Sequence, residues 1–383
     1  MHIGIDAIAA NEELRTGPGV YAFELLRAMM AATGGDRVSL YLNKPLVQAW
    51  ADIPPNWQAR VLPWKLPGWA TVRLSSELLW HPPDVLFAPS SRLPLWTPRG
   101  GLHKTAATIQ DIGFMRFPEL YERRDRQRQK SALRRALRRA DLLLTISAFT
   151  KQELVELFRV PAEKIVVIPL AVSPRFTPDP AEAIERMRVK ARISQHYLLC
   201  VSRLDRKKNI ETLIRGFEIF KSQRGFGDPH ELVIVGPDGF GAKDIRARIA
   251  TSSIRSSIHL LGGVSEEEKV ALYSGALGYV NISWYEGFGL TPLEAAACGT
   301  AALLSDIPAH REVMGDGALY ANPRDPEVFA LALKHFAEEP TRREAVLARA
   351  RERLILYSWE RTAALTWEAL RGVVAPKNLF HTF

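Results

Sequence analysis

Ser283-Trp-Tyr-Glu-Gly-Phe-Gly-Leu-Thr-Pro-Leu-Glu-Ala-Ala-Ala-Cys-Gly-Thr-Ala-Ala-Leu-Leu-Ser-Asp306 is the stretch on which fold and site are read. An apolar run of strand length at 277–283 leads into it. A glycine-bearing loop follows at 286–290, then a helical pattern over 291–298 that Gly299 stops. Gly287 and Gly289 let the backbone approach a ligand closely. The helix behind them offers free N–H groups and the positive end of its dipole to an anion. Glu286 and Glu294 flank the loop, so a ligand with both phosphates and hydroxyls would meet amides for the first and carboxylates for the second. A purely structural reading stands beside this one. Thr291-Pro-Leu-Glu294 is a capping-box pattern with proline at the first helical position, in which Glu294 bonds the Thr291 backbone N–H.

Outward from this stretch, strands and helices alternate. In the second half, strand patterns at 197–202, 231–235 and 258–261 are followed by helices from about 210, 244 and 266. In the first half, strands are read at 2–9, 105–110, 142–147 and 164–169, with a helix over 20–32. Such alternation predicts α/β architecture with parallel sheets and crossover helices. Between the halves, Pro169-Leu-Ala-Val-Ser-Pro-Arg-Phe-Thr-Pro-Asp-Pro180 forbids a continuing helix or central strand and reads as the linker. The expected domains are 1–172, 173–356 and a last segment, 357–383. Two such units make a cleft outside the carboxyl ends of their strands, where open α/β folds bind ligands.

Charge at the exit of the second half's first strand points to the same ligand. In Val201-Ser-Arg-Leu-Asp-Arg-Lys-Lys-Asn209, Arg203 and Lys208 offer fixed positive charge to a phosphate-bearing ligand. The alternative is a charged turn capping a helix. Gly236, in Gly236-Pro-Asp-Gly239, and Val264, in Leu261-Gly-Gly-Val-Ser265, follow two further strands and by position line the same ligand site, or are plain turns. Gly17 and Gly19 precede the first helix but lack the third glycine of a dinucleotide fingerprint. No Asp-x-Asp and no His/Cys cluster of metal spacing occurs, so no metal cofactor is expected.

Glu286-Gly-Phe-Gly-Leu-x-x-Leu-Glu294-Ala, with Cys298-Gly-Thr and Ser305-Asp, resembles the Glu-x7-Glu signature of the retaining GT-B glycosyltransferases of family 4. Arg203-Leu-x-x-x-Lys208-Asn matches the same family, with Ser202 where a glycine is usual, and Ser358-Trp-Glu resembles its terminal motif. The resemblance implies a GT-B fold of two Rossmann-like domains facing a central cleft. It implies a nucleotide-diphosphate sugar as donor, GDP-mannose among the candidates, and a saccharide or lipid-linked saccharide as acceptor in polysaccharide biosynthesis. Glu286 would lie by the donor sugar, with the amides of Gly287, Phe288, Gly289 and Leu290 on the diphosphate and Glu294 on the ribose. Gly17 and Gly19 would sit over the donor phosphates, and the last helix would return to the first domain. Family members most often carry His-Asp where this chain has Gln110-Asp111; a glutamine hydrogen-bonds a hydroxyl but does not ionise. A nucleotide-sugar epimerase of the same architecture and a non-enzymatic glycan or nucleic-acid binder are the rival readings.

Length and composition set the outer limits. The chain has 383 residues, enough for two cores, and only two cysteines, Cys200 and Cys298, so a reducing, cytoplasmic setting is expected. No signal-peptide pattern and no apolar run of the ~20 residues that span a bilayer is read. Much of the net charge of +9 falls in 123–139, where Leu133, Ala136, Leu137 and Ala140 share one helical face. That helix either packs its stripe inward with its arginines in water or docks on an anionic membrane at the inner face of the cell. No helix-turn-helix, zinc or RNP signature supports a nucleic-acid partner. Between 50 and 98, Trp50, Trp57, Trp64, Trp69, Trp80 and Trp96 are interleaved with nine prolines. This stretch reads as loops between short strands, with indoles suited to sugar stacking, a lipid interface or ordinary packing.

Overall fold

The structure, a computed structural model, describes residues 1–374 apart from 14, 16, 51, 67, 97–102 and 226. Pro67 and Pro98 of the tryptophan-proline stretch, and the chain beyond 374, lie outside the described residues. Contacts divide the chain into two units. The first holds Met1–Ile112, Arg124–Ala171 and the segment from Ser358; the second holds Gly113–Arg123 and Val172–Tyr357.

The first unit has a seven-stranded sheet: β1 (His2–Asp6), β2 (Arg37–Leu42), β3 (Trp57–Val61), β4 (Val85–Ala88), β5 (Lys104–Ile109), β6 (Leu142–Thr145) and β7 (Ile165–Val167). Their order is β3-β2-β1-β4-β5-β6-β7, and every pairing is parallel. Runs such as Val85-Leu-Phe-Ala88 are buried along their whole length, as strands covered on both faces must be. The helix Trp359–Val374 completes this unit, with Trp367 Nε1 donating to Met29 O at 3.2 Å and Thr362 Oγ1 to Pro169 O at 2.9 Å.

Two expectations for this unit change. The first helix spans Gly17–Ala31, so Gly17 and Gly19 are its first turn and not a loop before it. Proline between them presets a helical φ and lacks a hydrogen the first turn leaves unbonded. Between β3 and β4 the chain is helical over Trp69–Arg73 and Leu74–Trp80, where the proline density had pointed to loops. No proline falls inside 69–80, so nothing breaks that run. The basic helix Arg123–Arg139 turns Leu133 and Ala136 inward, as their shared helical face predicts.

The second unit has six strands: β8 (Tyr197–Val201), β9 (Glu231–Val235), β10 (Ile258–Gly262), β11 (Gly278–Asn281), β12 (Ala302–Ser305) and β13 (Leu319–Ala321). The order β10-β9-β8-β11-β12-β13 is the doubly wound Rossmann order, all parallel. Its core joins Leu198, Cys200, Leu232, Ile234, Val280 and Leu303 of the strands to helix side chains such as Phe217, Phe329 and Phe336. Strand order reverses between β8 and β11, so the crevice at their carboxyl ends is where this topology presents a ligand site. The segment Gly113–Arg123 joins this unit because the Phe117 ring meets Tyr285 edge-on at 6.1 Å and Lys207 Nζ lies 5.6 Å from the Tyr121 ring.

Candidate active site at the switch point of the second sheet

Just beyond β8 a single 3-10 turn, Arg206–Lys208, carries Lys208 toward the loop that follows β11. The turn ends at Asn209 in the left-handed region (φ 55°), a conformation asparagine tolerates better than most residues. Asn209 Nδ2 donates to Ile282 O at 3.0 Å and to Pro323 O at 2.8 Å, and Trp284 N donates to Lys207 O at 2.9 Å. These bonds tie the β8 exit to the β11 exit at the point where strand order reverses.

The result is a cation against a carboxylate. Lys208 Nζ donates to Glu286 Oε1 at 2.6 Å, and Ser283 Oγ lies 2.7 Å from the same oxygen. Ser283 Oγ is also 2.6 Å from Asn281 Oδ1, so its one proton serves the amide or the carboxylate. Burial works to raise the Glu286 pKa, but the Lys208 and Lys207 ammoniums and the His310 ring outweigh it and hold the carboxyl at about 2. Glu286 is therefore ionised and oriented before any ligand arrives.

Behind it, the helix Leu290–Ala297 begins one residue earlier than the sequence pattern implies. Gly289, at φ 103°, is its N-cap, and no side chain caps it. The capping-box reading of Thr291 and Glu294 therefore fails, because a left-handed glycine already turns the chain into the helix. Thr291 Oγ1 instead accepts from Tyr279 OH at 2.7 Å, and Glu294 Oε2 accepts from Tyr273 OH at 2.9 Å. Burial pushes the Glu294 pKa above the ordinary range, against the pull of Lys269 and the Tyr273 hydroxyl. The two carboxylates of one loop are thus tuned in opposite directions.

The remaining predicted residues divide by place. Arg203 lies at the same strand exit as Lys208 but is more than half exposed, donating from Nε to Asp238 O at 3.3 Å. Gly236 ends β9 at φ 149°, packed so closely that a Cβ there would stand 2.0 Å from Ser202 O. Val264 is half-buried after β10. The Phe288 ring is buried and packs edge-on to Tyr357 at 5.5 Å. Gly17, Gly19, Gln110 and Asp111 belong to the first unit. There Gln110 Nε2 is buried without a hydrogen-bond partner.

The sequence reading gave no role to Asn209, Ser283, Tyr273 or His310. His310 is fully buried, with Nδ1 3.1 Å from Ser305 O and burial lowering its pKa. Nδ1 also lies 3.1 Å from Ser305 Oγ, and Nε2, beneath Gly289, has no hydrogen-bond partner. Among the described residues no group of three His, Cys, Asp or Glu is placed to hold a metal ion.

Two doubly wound parallel units define the GT-B class of glycosyltransferase folds. Comparison with known proteins agrees. The model of glycosyl transferases group 1 matches residues 183–353, and that of Glycosyltransferase Family 4 matches residues 15–176. The O-antigen chain mannosyltransferase B of Escherichia coli is 30% identical over 272 residues, covering 70% of this chain and 71% of that protein. A sucrose-phosphate synthase from Thermosynechococcus elongatus superposes at TM-score 0.76 with 19% identity, covering 97% of this chain and 99% of the other. HepE of Anabaena, solved with UDP and glucose, superposes at TM-score 0.73 with 15% identity and the same coverage of 97% and 99%. At such identities these two establish the fold alone. The chain belongs to glycosyltransferase family 4.

Proposed function

We propose that this glycosyltransferase moves a hexose, mannose from GDP-mannose foremost, onto a saccharide or lipid-linked saccharide acceptor, with retention at the anomeric carbon and without a metal. The observation that carries the reading is the Lys208–Glu286 pair set at the switch point beside the glycine loop. Lys208, Arg203 and the loop amides take the charge of the leaving diphosphate, which is greatest at the transition state. Glu286 accepts hydroxyls of the donor sugar and Glu294 those of the ribose. In the step itself the acceptor oxygen bonds to the anomeric carbon as the carbon–phosphate oxygen bond breaks. The acceptor proton passes to a donor phosphate oxygen on the same face.

Mannose is favoured by the mannosyltransferase relative, and O-antigen or lipopolysaccharide synthesis is the matching setting. Attachment of the helix Arg123–Arg139 to an anionic membrane belongs to the same reading. Among the described residues no helix is long and apolar enough to cross a membrane.

The test is a thermal-shift screen against GDP-, UDP-, ADP- and dTDP-sugars with and without EDTA, followed by turnover with the best donor. A ligand that binds the folded state raises its melting temperature. GDP-mannose stabilisation that survives EDTA, with an α-configured product from the α-configured donor, is expected. Silence toward every donor, or stabilisation only with magnesium or manganese, removes the reading. Donor consumption without acceptor points to epimerisation.

A further inference from the structure

His310 sits in the helix Pro308–Met314, which opens just after β12, and its ring is fully buried. Nδ1 is held, 3.1 Å from both the carbonyl and the hydroxyl of Ser305. Nε2 is buried with no partner, a costly state for a polar atom and a rare one in a folded core. The bare edge of the ring lies under the glycine loop: a Cβ added at Gly289 would stand 3.0 Å from His310 Cδ2 and 3.6 Å from Nε2. Gly289 is also the N-cap of the helix Leu290–Ala297, which no side chain caps. The free amides of that first turn and the unpartnered imidazole edge therefore meet at one glycine.

The charges around the ring are already matched to one another. Lys208 Nζ is committed to Glu286 Oε1 at 2.6 Å. Arg311 forks onto Asp306 at 2.7 and 2.9 Å, and Arg353 Nε donates to Val313 O at 3.0 Å. Tyr320 OH donates to His310 O at 3.4 Å and to Gly315 O at 2.6 Å, and the first turn of the helix Leu290–Ala297 holds no acid. Burial lowers the His310 pKa, and Lys208 adds to that; Glu286 and the Ser305 carbonyl pull the other way and lose. An opposite charge arriving within about 6 Å moves such a balance by roughly one to three pH units toward the charged form. Imidazole is the one side chain whose ordinary range lets that change act near neutral pH.

We propose that His310 is neutral before the donor binds and takes up a proton as the donor's diphosphate settles on the glycine loop, so that a second cation forms beneath Gly289. The inference rests on the transferase reading, since the anion is the donor's diphosphate. His310 is a positioning residue, acting through the backbone of Gly289 and not by touching the reacting atoms. Its charge arrives only with the anion, so the fold never holds an unpaired buried cation. Affinity for the donor should rise as pH falls through the pKa of the bound state, and level off below that of the free protein.

The test is calorimetry of the full chain with GDP-mannose, and with UDP-, ADP- and dTDP-glucose, in buffers of differing ionisation enthalpy from about pH 6 to 8.5. A nucleotide sugar has no phosphate that titrates in this range, so the buffer dependence of the heat counts protons taken up by the protein. Uptake approaching about one proton per donor bound is expected near neutral pH, with affinity about tenfold tighter at the acid end. His310→Gln should abolish the uptake and flatten the pH dependence, which loss of packing alone would not do. Should that variant not fold, Ser305→Ala removes a hydroxyl that can donate to Nδ1 and leaves the carbonyl, and should move the uptake maximum to higher pH; an unmoved maximum overturns the proposal. Uptake that persists in His310→Gln overturns it too and sends the proton elsewhere, Glu294 being the next buried acid. Binding and transfer without any uptake overturn the role of His310 and leave the transferase standing. Proton-coupled binding with no transfer to any acceptor upholds His310 and removes the transferase reading, and silence toward all four donors removes both.

Discussion

Lys208 Nζ and Glu286 Oε1 lie 2.6 Å apart although 78 residues separate them in the chain. Both side chains are mostly buried, at 18 and 11% exposure, so neither charge has water to fall back on. Lys208→Ala therefore leaves an unpaired carboxylate and should cost about 3 kcal/mol in denaturant unfolding. It should also cost on the order of 10² to 10³ in turnover if the ammonium stabilises the leaving diphosphate. Wild-type stability with lost turnover would mean that the pair does not hold the loop.

The two carboxylates predict opposite responses to acid. Glu286 is held at about 2, below its unfolded value, so its contribution to stability is present above about pH 4.5 and is lost as pH falls toward 2. Glu294 is raised by burial, so its contribution is present below the unfolded value and lost as pH rises through the folded one. The stability gap between wild type and Glu286→Gln should shrink on acidification from pH 5 to 3, roughly the window between the two Glu286 values. The gap for Glu294→Gln should move the other way, as pH-dependent urea titrations will show.

Glu294 depends on a partner that no local pattern announces. Tyr273→Phe removes the hydroxyl that donates to it at 2.9 Å and leaves a buried acceptor unsatisfied. A loss of about 1–2 kcal/mol in stability is expected, with weaker nucleotide binding by calorimetry if Glu294 holds the ribose. Unchanged nucleotide affinity in both Tyr273→Phe and Glu294→Ala would return the residue to a packing role.

These examples mark how far the sequence carries. Both halves were legible as parallel α/β because buried strands such as Tyr197–Val201 and Glu231–Val235 are short apolar runs between helical patterns. The loop stretch was legible because glycines, carboxylates and a helix start fall within a few residues of one another. Where local pattern competed with backbone geometry it misled, as at Thr291 and Glu294, since the positive φ of Gly289 decides where the helix begins. Asn209 gives no local signal of its role because its acceptors, Ile282 and Pro323, stand 73 and 114 residues away. Pairings of that separation are set by strand order, which a one-dimensional pattern does not contain.

Gly236 tests the crowding where β8 and β9 end. At φ 149° an L side chain is strained, and its Cβ would overlap the Ser202 carbonyl, 2.0 Å from O and 2.6 Å from C. Backbone cannot swing aside as a long side chain can. Gly236→Ala should therefore cost several times the ~1 kcal/mol of a simple positive-φ glycine replacement. Gly289→Ala meets only the edge of the His310 ring at 3.0 Å and should lie near the lower figure. Melting curves of the two variants side by side decide whether the strand exit or the glycine loop is the less yielding.

Arg203 offers the cleanest separation of catalysis from folding. It shares a strand exit with Lys208, yet it is 55% exposed, and its nearest carboxylate, Asp205, stands 3.9 Å away. Nothing buried depends on it, so Arg203→Ala should change stability by no more than about 0.5 kcal/mol. If its guanidinium meets the diphosphate as charge builds on the leaving oxygen, kcat should fall on the order of 10²-fold while donor affinity changes little. Lys208→Ala, by contrast, should lower stability and turnover together. Equal falls in kcat and in donor affinity for Arg203→Ala would make it a ground-state phosphate ligand, and leave Lys208 and the loop amides to carry the transition state alone.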